Sequence, residues 1–509
     1  MKLSVIDLGF NSLKLISYNV KQDRLSFTVF DQKSIPAKLG DGLNRTDLLG
    51  NESIRKAIDG LKVFREINEF NRVKQCLPVA TSAVREAVNK DQFLRQILSE
   101  TGFKFRVLSG REEALYSCSG AIRALGLSNV LFFDIGGGTL EFVYSRDSKI
   151  KKILSLPLGG LRLTQLYSQS NGTFKEKAYS HMKEKVLETL PSRKELGLND
   201  AATLVGVGGS LRGLARWDQE MRNYPINKLH NYSVRLESIE FMAEELSQLS
   251  SGEIRDIRVI GRDRAETIVA GALVIGLAMK KLGFQKVTVS THGLRDGILA
   301  SFLDDPPAYY KGKMGKTLQK ALRPSNGRHL PASVEYFIET LETFDLLETR
   351  EAKILSYELK WVISETSTFR PEALFYLIMD EEAGLSHREQ LIAALSLVKF
   401  RKPRSADWLY SKYELLLKPK KSKETIEKLA ALSRFLEIVV RTGSKIRLSI
   451  ADRGSKIMLR IIPGKQQQIP VSLLNAAVAE LSNKLDRFVE YSINEVREIA
   501  NAEKEDISA

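Results

Sequence analysis

The sequence predicts an α/β protein over roughly its first 305 residues, followed by a helical region and a small α+β region. Two observations carry this. Apolar strand-like runs alternate with amphipathic helical stretches up to the Pro/Gly/Lys-rich segments DDPPAYYKGKMGK and RPSNGRHLP, and a helical pattern with no strand run follows over 331–440. The second observation is an internal repeat, in which DLGFNSLKLI (Asp7–Ile16) aligns with DIGGGTLEFV (Asp134–Val143). Each copy is an apolar strand ending in Asp, a Gly-containing loop closed by a hydroxyl residue, and a second apolar strand. Ser12 matches Thr139 and Lys14 matches Glu141. Two copies 127 residues apart predict a duplicated domain whose two loops face each other.

In chain order, strands are expected in LSVIDLG, LPVAT, FRVLS, NVLFFDIG and ATLVGVG. Helices are expected over Glu52–Asn68, Asp91–Thr101, Glu112–Leu125 and Glu237–Ser250. The longest apolar run, Ile268–Met279, has 12 residues and two glycines; it is too short to span a bilayer and reads as a buried core helix. EYFIETLETFDLLE and EQLIAALSLV have helical spacing. KIRLSI and KIMLRII around Ala-Asp-Arg-Gly-Ser read as a hairpin, and VSLLNAAVAELSNKLDRFVEYSINEV as one long amphipathic helix. The expected domains are 1–125 and 126–305, a linker over 306–330, a helical domain over 331–440 and a small α+β domain over 441–509.

The net charge of +15 and pI near 9.5 favour an anionic partner without choosing among nucleic acid, acidic lipid and polyanionic substrate. Cys76 and Cys118 are too few for a disulfide framework or a zinc cluster and are expected to be buried thiols in a reducing compartment. Met1-Lys2 leads straight into a strand, with no signal-peptide pattern, so the expectation is cytoplasmic. The five histidines have no metal-ligand spacing.

Phosphate is the anion the loops suggest. Tight turns of Gly and Ser/Thr present amides and hydroxyls to phosphate oxygens, and Gly lets the ligand approach the backbone. Gly9, Asn11 and Ser12 are the candidates in the first loop; Gly136, Gly137, Gly138 and Thr139 in the second. One such loop would read as an ordinary hairpin turn; two matched loops tilt the reading. Asp7 and Asp134 follow apolar runs, where a carboxylate needs a partner such as Mg²⁺ bridging to phosphate. Gly208, Gly209 and Ser210 open a helix, a phosphate-favouring position. Arg85 follows the strand LPVAT and is placed for bidentate phosphate bonding. Glu112 and Glu113 open another helix; they serve its dipole or supply a general base, with Glu141 the other candidate acid.

DLGFNSLKL, ATSAVREA, LSGREEAL, DIGGGTLEF, LPLGGLRL, VGVGGSLRGLA and VSTHGLRDGIL occur in the order found in the exopolyphosphatase/guanosine pentaphosphate phosphohydrolase (Ppx/GppA) family, and the chain resembles that family over about residues 3–300. The resemblance implies two ribonuclease H-like domains of the actin/hexokinase superfamily around a cleft. It also implies Mg²⁺, or Mn²⁺, as cofactor, and a homodimer is expected. By motif, Glu113 resembles the catalytic glutamate, Glu141 the second essential acid and Asp134 the metal-associated aspartate; Asp7 is the second metal candidate from its own place at a strand end. Asn11, Ser12, Arg85, Gly137, Gly138, Thr139, Gly209 and Ser210 resemble phosphate contacts.

Two positions depart from the family pattern: Phe10 replaces a small residue, and Arg264-Ala265-Glu266 stands for Arg-Ala-Asp. Phe10 is expected to narrow the pocket or stack on a base. The C-terminal helices resemble an HD-type phosphohydrolase domain, but residues 331–509 hold only His387 and no His-Asp pair, so metal ligands for a second active site are lacking. Its basic stretches carry ten Lys/Arg against four Asp/Glu over Lys399–Lys428, and six against one over Arg441–Arg460, which suits holding a polyphosphate chain or dimerisation.

The implied activity is release of terminal orthophosphate from inorganic polyphosphate. The alternatives are guanosine pentaphosphate hydrolysis, a non-catalytic polyphosphate-binding regulator, and an ATP-driven chaperone or sugar kinase. No membrane and no specific nucleic acid partner is expected.

Overall fold

The computed structural model describes residues 1–20, 27–147, 149–199, 202–304, 330–363, 370–381, 384–451, 456–464 and 469–493. The chain divides into two compact units, Met1–Ser325 and Asn326–Ala509. The linker expected over 306–330 lies, but for Leu330, outside the described residues.

The first unit holds two sheets. Strands β1 (Lys2–Leu8), β2 (Ser12–Val20), β3 (Phe27–Pro36), β4 (Gln75–Ala80) and β5 (Arg106–Val107) lie in the order β3-β2-β1-β4-β5. Strands β6 (Val130–Ile135), β7 (Leu140–Arg146), β8 (Lys149–Leu156), β9 (Thr203–Gly208), β10 (Ser233–Arg235) and β11 (Lys286–Val289) lie in the order β10-β11-β9-β6-β7-β8. Without the edge strand β10, the second order repeats the first. In both, the first three strands are antiparallel and the next two parallel.

The repeat is finer than strand order. The β2–β3 register shifts between Ser17 and Tyr18, and the β7–β8 register between Tyr144 and Ser145, again 127 residues on. Gly9 N donates to Ser12 O (3.1 Å) in the first loop, and Gly136 N to Thr139 O (2.9 Å) in the second. Asp7 faces Lys14 across one hairpin, and Asp134 faces Glu141 across the other.

The two lobes exchange a helix. Gly110–Leu125 follows β5 of the first sheet, yet Ala114, Cys118 and Ala121 pack with Val130, Phe132 and Val205 of the second. Leu294–Asp304 follows β11 of the second sheet, yet Ile298, Leu299 and Phe302 pack with Leu3, Val5 and Tyr18 of the first. The helices cross backbone to backbone: a Cβ on Gly120 would lie 2.3 Å from Gly293 O, and one on Gly297 1.8 Å from Tyr116 O. Ile268–Lys281 is the buried core helix expected from its apolar run. Cys118 is buried, whereas Cys76 is partly buried, and both are free.

The second unit has helices Ala332–Thr343, Thr349–Ile363, Pro371–Asp380, His387–Arg401, Pro403–Lys412 and Pro419–Arg441. A three-stranded sheet follows, of β12 (Lys445–Ala451), β13 (Lys456–Ile462) and β14 (Phe488–Ile493) in that order. The expected hairpin is β12–β13. The single long helix expected after it is corrected: the helix Val471–Leu485 stops at Asp486, which adopts φ 51°. Phe488–Ile493, rich in aromatic and β-branched residues, then pairs in parallel with β13. No helix among the described residues is long and apolar enough to cross a membrane.

Glu358, in the helix Thr349–Ile363, is fully buried. It accepts from Ser396 Oγ (3.1 Å) and Ser433 Oγ (3.0 Å), while its Oε1 has no hydrogen-bond partner among the described residues. Burial pushes this carboxyl up to about 8. The unfolded chain ionises such a group near ~4.3, so the native state holds an extra proton between those values and stability falls as pH rises through that window. Glu358→Gln is expected to remove this fall, seen as a flatter thermal midpoint of the second unit from acid pH to about 8. In the first unit, Gly297→Ala is expected to destabilise by about 3 kcal/mol or more through backbone overlap. Gly252→Ala, whose Cβ meets nothing closer than 3.6 Å, should stay within ~0.5 kcal/mol; chemical denaturation compares them.

Candidate active site

Both glycine loops open into one cavity of about 260 Å³ in the first unit. How each loop is tied down explains why it presents amides. After β8, Gly159 N, Gly160 N and Arg162 N donate to the carbonyls of Gly138 (3.2 Å), Gly136 (3.0 Å) and Gly137 (2.9 Å). The carbonyls are thus engaged on one side, and no backbone carbonyl among the described residues accepts from the Gly137 or Gly138 amide. The first loop is held likewise: Gly40 N donates to Phe10 O (2.9 Å), and Lys38 N to Asn11 O (2.9 Å). The arrangement is that of an anion-binding turn.

The cavity gathers Asp7, Asn11, Ser12, Glu113, Asp134, Gly137, Thr139, Glu141, Gly209 and Ser210. Gly208 takes φ 123°, and a Cβ there would lie 2.5 Å from Ile135 O, so glycine is required where β9 turns into the helix Gly209–Met221. Two expected contacts are placed elsewhere. Gly138 does not line the cavity; its Cα faces the Phe10 ring, which an added Cβ would meet at 2.6 Å. Arg85 does not line it either, because its Nη1 is bonded to Glu113 Oε2 and to Leu108 O, both at 2.8 Å.

Phe10 is 4% exposed and packed between Gly40 and the Gly137-Gly138 backbone. It therefore has no face free to stack on a base, and it wedges one glycine loop against the other. Glu266 reaches across the lobes, with Lys38 Nζ at 2.8 Å and Arg255 Nη2 at 3.1 Å.

The paired acids divide their roles. Glu112 closes a capping box: Ser109 Oγ accepts from Glu112 N, and Glu112 Oε2 accepts from Ser109 N (2.9 Å). Glu112 also pairs with Arg106. Glu113, one residue on, turns into the cavity. Burial raises its carboxyl to about 7 against the pull of Arg85, with Asp134 and Asp7 adding to the rise. Glu141, 2% exposed, accepts from Ser155 Oγ (3.0 Å); burial, then Glu113 and Asp134, hold it well above the carboxylate range. Asp134 is raised by burial in spite of the bond from Ser117 Oγ (2.7 Å).

Sequence reasoning passed over the cations. Lys14, Arg212, Arg264 and Arg295 line the same cavity, as do His292 and Asp296. The signal was present, since Arg212 lies inside VGVGGSLRGLA and His292 to Asp296 inside VSTHGLRDGIL, but spacing along the chain does not show which way a side chain turns. Burial lowers Arg212 to about 10, helped by Arg264 and Arg295.

Among the described residues no three His, Cys, Asp or Glu converge into a metal cage. The donor set fits a hard cation of another kind. Asp7 and Asp134 line the cavity, and Asn11 Oδ1 is a buried acceptor with no donor among the described residues. Mg²⁺ is commonly held by one or two carboxylates plus phosphate oxygens and water.

Known proteins share this architecture. The sequence profile of the Ppx/GppA phosphatase family matches residues 19–305, more than half of the chain. The chain is 27% identical over 314 residues to exopolyphosphatase 2 of Mycobacterium tuberculosis, covering 59% of this chain and 98% of that protein. It is 27% identical over 326 residues to the bifunctional 3-dehydroquinate synthase/phosphatase of Fusobacterium nucleatum, of whose length it spans 46%. A crystal structure of an exopolyphosphatase from Cytophaga hutchinsonii superposes with a TM-score of 0.56 at 25% identity, covering 60% of this chain and 98% of that one. With the profile match and the paired loops in agreement, the chain belongs to the Ppx/GppA phosphatase family, hydrolases of phosphoric anhydrides.

Proposed function

We propose that the first unit is an exopolyphosphatase that removes the terminal phosphate of inorganic polyphosphate as orthophosphate. The observation that carries this is Glu113, a buried carboxylate near neutrality at the wall of a cavity floored by two amide-presenting loops. Glu113 orients the attacking water and takes its proton, a role suited to a group poised near the working pH. Arg85 holds the Glu113 carboxylate in place. The Gly137 amide, Thr139 and Ser12 hold the phosphoryl oxygens as charge builds on them, and Gly209 and Ser210 add the start of a helix. Mg²⁺, with Mn²⁺ as substitute, would be held by Asp134 and Asp7 and would neutralise charge on those oxygens.

The inorganic chain is preferred over guanosine pentaphosphate for a specific reason. Phe10 is the one phenyl, phenol or indole ring lining the cavity among the described residues, and it is buried under the second loop, so a guanine has no ring to stack on.

The repeated strand order supports reading the lobes as ribonuclease H-like domains. We read the helical part of the second unit as HD-like without metal ligands, since His387, its lone histidine, is 3% exposed. Holding the chain, or dimerisation, is proposed for this unit. Its surface is less free than composition suggests: Lys399, Lys421 and Lys428 pair with Asp407, Glu348 and Glu351.

The deciding measurement is orthophosphate release from purified polyphosphate and from guanosine pentaphosphate, with Mg²⁺ and with chelator. Release from polyphosphate, faster than from the nucleotide and lost on chelation, is expected; a strong preference for the nucleotide would sink the reading. Glu113→Gln is expected to lower turnover about 10²- to 10⁴-fold with the fold intact by circular dichroism. A base acts deprotonated, so kcat/KM should fall as pH drops below about 7, and Arg85→Met, which removes an opposing charge, should move that limb to higher pH.

A further inference from the structure

The duplication places a second arginine where the first lobe has Arg85, and leaves it without the carboxylate that Arg85 has. Thr81 N donates to Leu8 O (3.2 Å) where β1 meets β4, and Gly208 pairs with Ile135 where β6 meets β9. These partners are 127 residues apart, so the helices Ser82–Glu86 and Gly209–Met221 start in equivalent places, with Arg85 and Arg212 as the fourth residue of each.

The exchanged helices also share a cap. In one, Glu112 Oε2 accepts from Ser109 N (2.9 Å), and Glu113 N donates to Ser109 O (2.9 Å). In the other, Asp296 Oδ2 accepts from Gly293 N (3.1 Å), and Gly297 N donates to Gly293 O (3.0 Å). On that register Gly297 stands where the first lobe has Glu113. No side chain fits there, because a Cβ would lie 1.8 Å from Tyr116 O. The first lobe thus closes its arginine with Glu113 at 2.8 Å, whereas Arg212 and Arg295 make no ion pair among the described residues.

Arg212, Arg264 and Arg295 repel one another, an effect that Asp134 offsets only in part at Arg212 and without an ion-pair contact, and each helix start adds partial positive charge. An anion is the species that relieves both. His292, on the same wall, is held by Asp296 (Nδ1 to Oδ1, 3.3 Å), which Tyr18 OH also reaches at 3.3 Å; the His292 ring meets His230 edge to face at 5.1 Å.

We propose that Arg212, Arg295 and His292 form an anion subsite for the phosphates next to the terminal one of an inorganic polyphosphate chain, the counterpart of the Arg85–Glu113 pair in the other lobe. This rests on the hydrolase reading above and adds to it the track taken by the leaving chain. Such a subsite binds ground state and transition state alike, so its loss shows in KM more than in kcat.

The test is calorimetric binding of inorganic tripolyphosphate to the Glu113→Gln protein, with and without Arg212→Gln or Arg295→Gln. Each arginine change is expected to weaken binding about 10- to 100-fold, the effect of losing a charge-assisted hydrogen bond. Arg212→Lys should recover part of the loss. In the active protein, KM for tripolyphosphate should rise more than kcat falls. Arg85→Gln should do the reverse. Arginine variants that are folded by circular dichroism and bind tripolyphosphate as tightly as the parent overturn the proposal, and Arg295→Gln carries the test should Arg212→Gln not fold. Because binding is read without turnover, a wild type that hydrolyses no polyphosphate would remove the hydrolase reading and leave the subsite standing or falling on calorimetry alone.

Discussion

The crossing of two helices through Gly120 and Gly297 is the constraint on which the first unit depends. Each helix leaves one sheet and packs on the other, so neither lobe completes its core without the segment its partner supplies. Backbone contact at the crossing brings both helix starts to the cavity, one carrying Glu113 and the other Arg295 and Asp296. A side chain at the crossing would part the helices and open the cavity they frame. The site is therefore a product of the lobe interface rather than of either lobe.

That interface also sets the electrostatics. Asp7, Glu113, Asp134 and Glu141 share a small volume, and burial with mutual repulsion holds Glu113, Asp134 and Glu141 towards their neutral forms. Divergence after duplication gives the cavity two unlike sides. The hairpin position facing Asp7 is Lys14 and the one facing Asp134 is Glu141; the arginine of one lobe is answered by Glu113, and that of the other by a glycine. Acids and cations are interleaved in the cavity: Lys14 stands opposite Asp7, and Asp134 and Arg212 act on one another's charge.

Much of this was legible along the chain. Asp7–Ile16 and Asp134–Val143 announce the duplication because strand, loop and return strand are contiguous, and local hydrogen bonds such as Gly9 N to Ser12 O follow from contiguous residues. Less legible were features that depend on direction. Glu112 and Glu113 are adjacent and alike, but a capping box takes the first and turns the second inward. Arg85 reads as a phosphate ligand, and spacing does not show that its Nη1 is bonded to Glu113. Phe10 reads as a stacking ring until the glycines of the other lobe are packed on it. The last predicted helix failed because Asp486 adopts a left-handed conformation and the following residues find a strand to pair with, neither of which helical periodicity records.

By itself the sequence determined the α/β class and the duplicated Asp–Gly–Ser/Thr loops suited to phosphate, because turns, caps and strand periodicity are short-range properties of neighbouring residues, while hydrolysis was implied by the ordered motifs of the family it resembles. Only the tertiary structure decided which carboxylate enters the cavity, which arginine is quenched and which stays unpaired. Those outcomes come from contacts between lobes far apart along the chain, and from a crossing so close that only glycine fits.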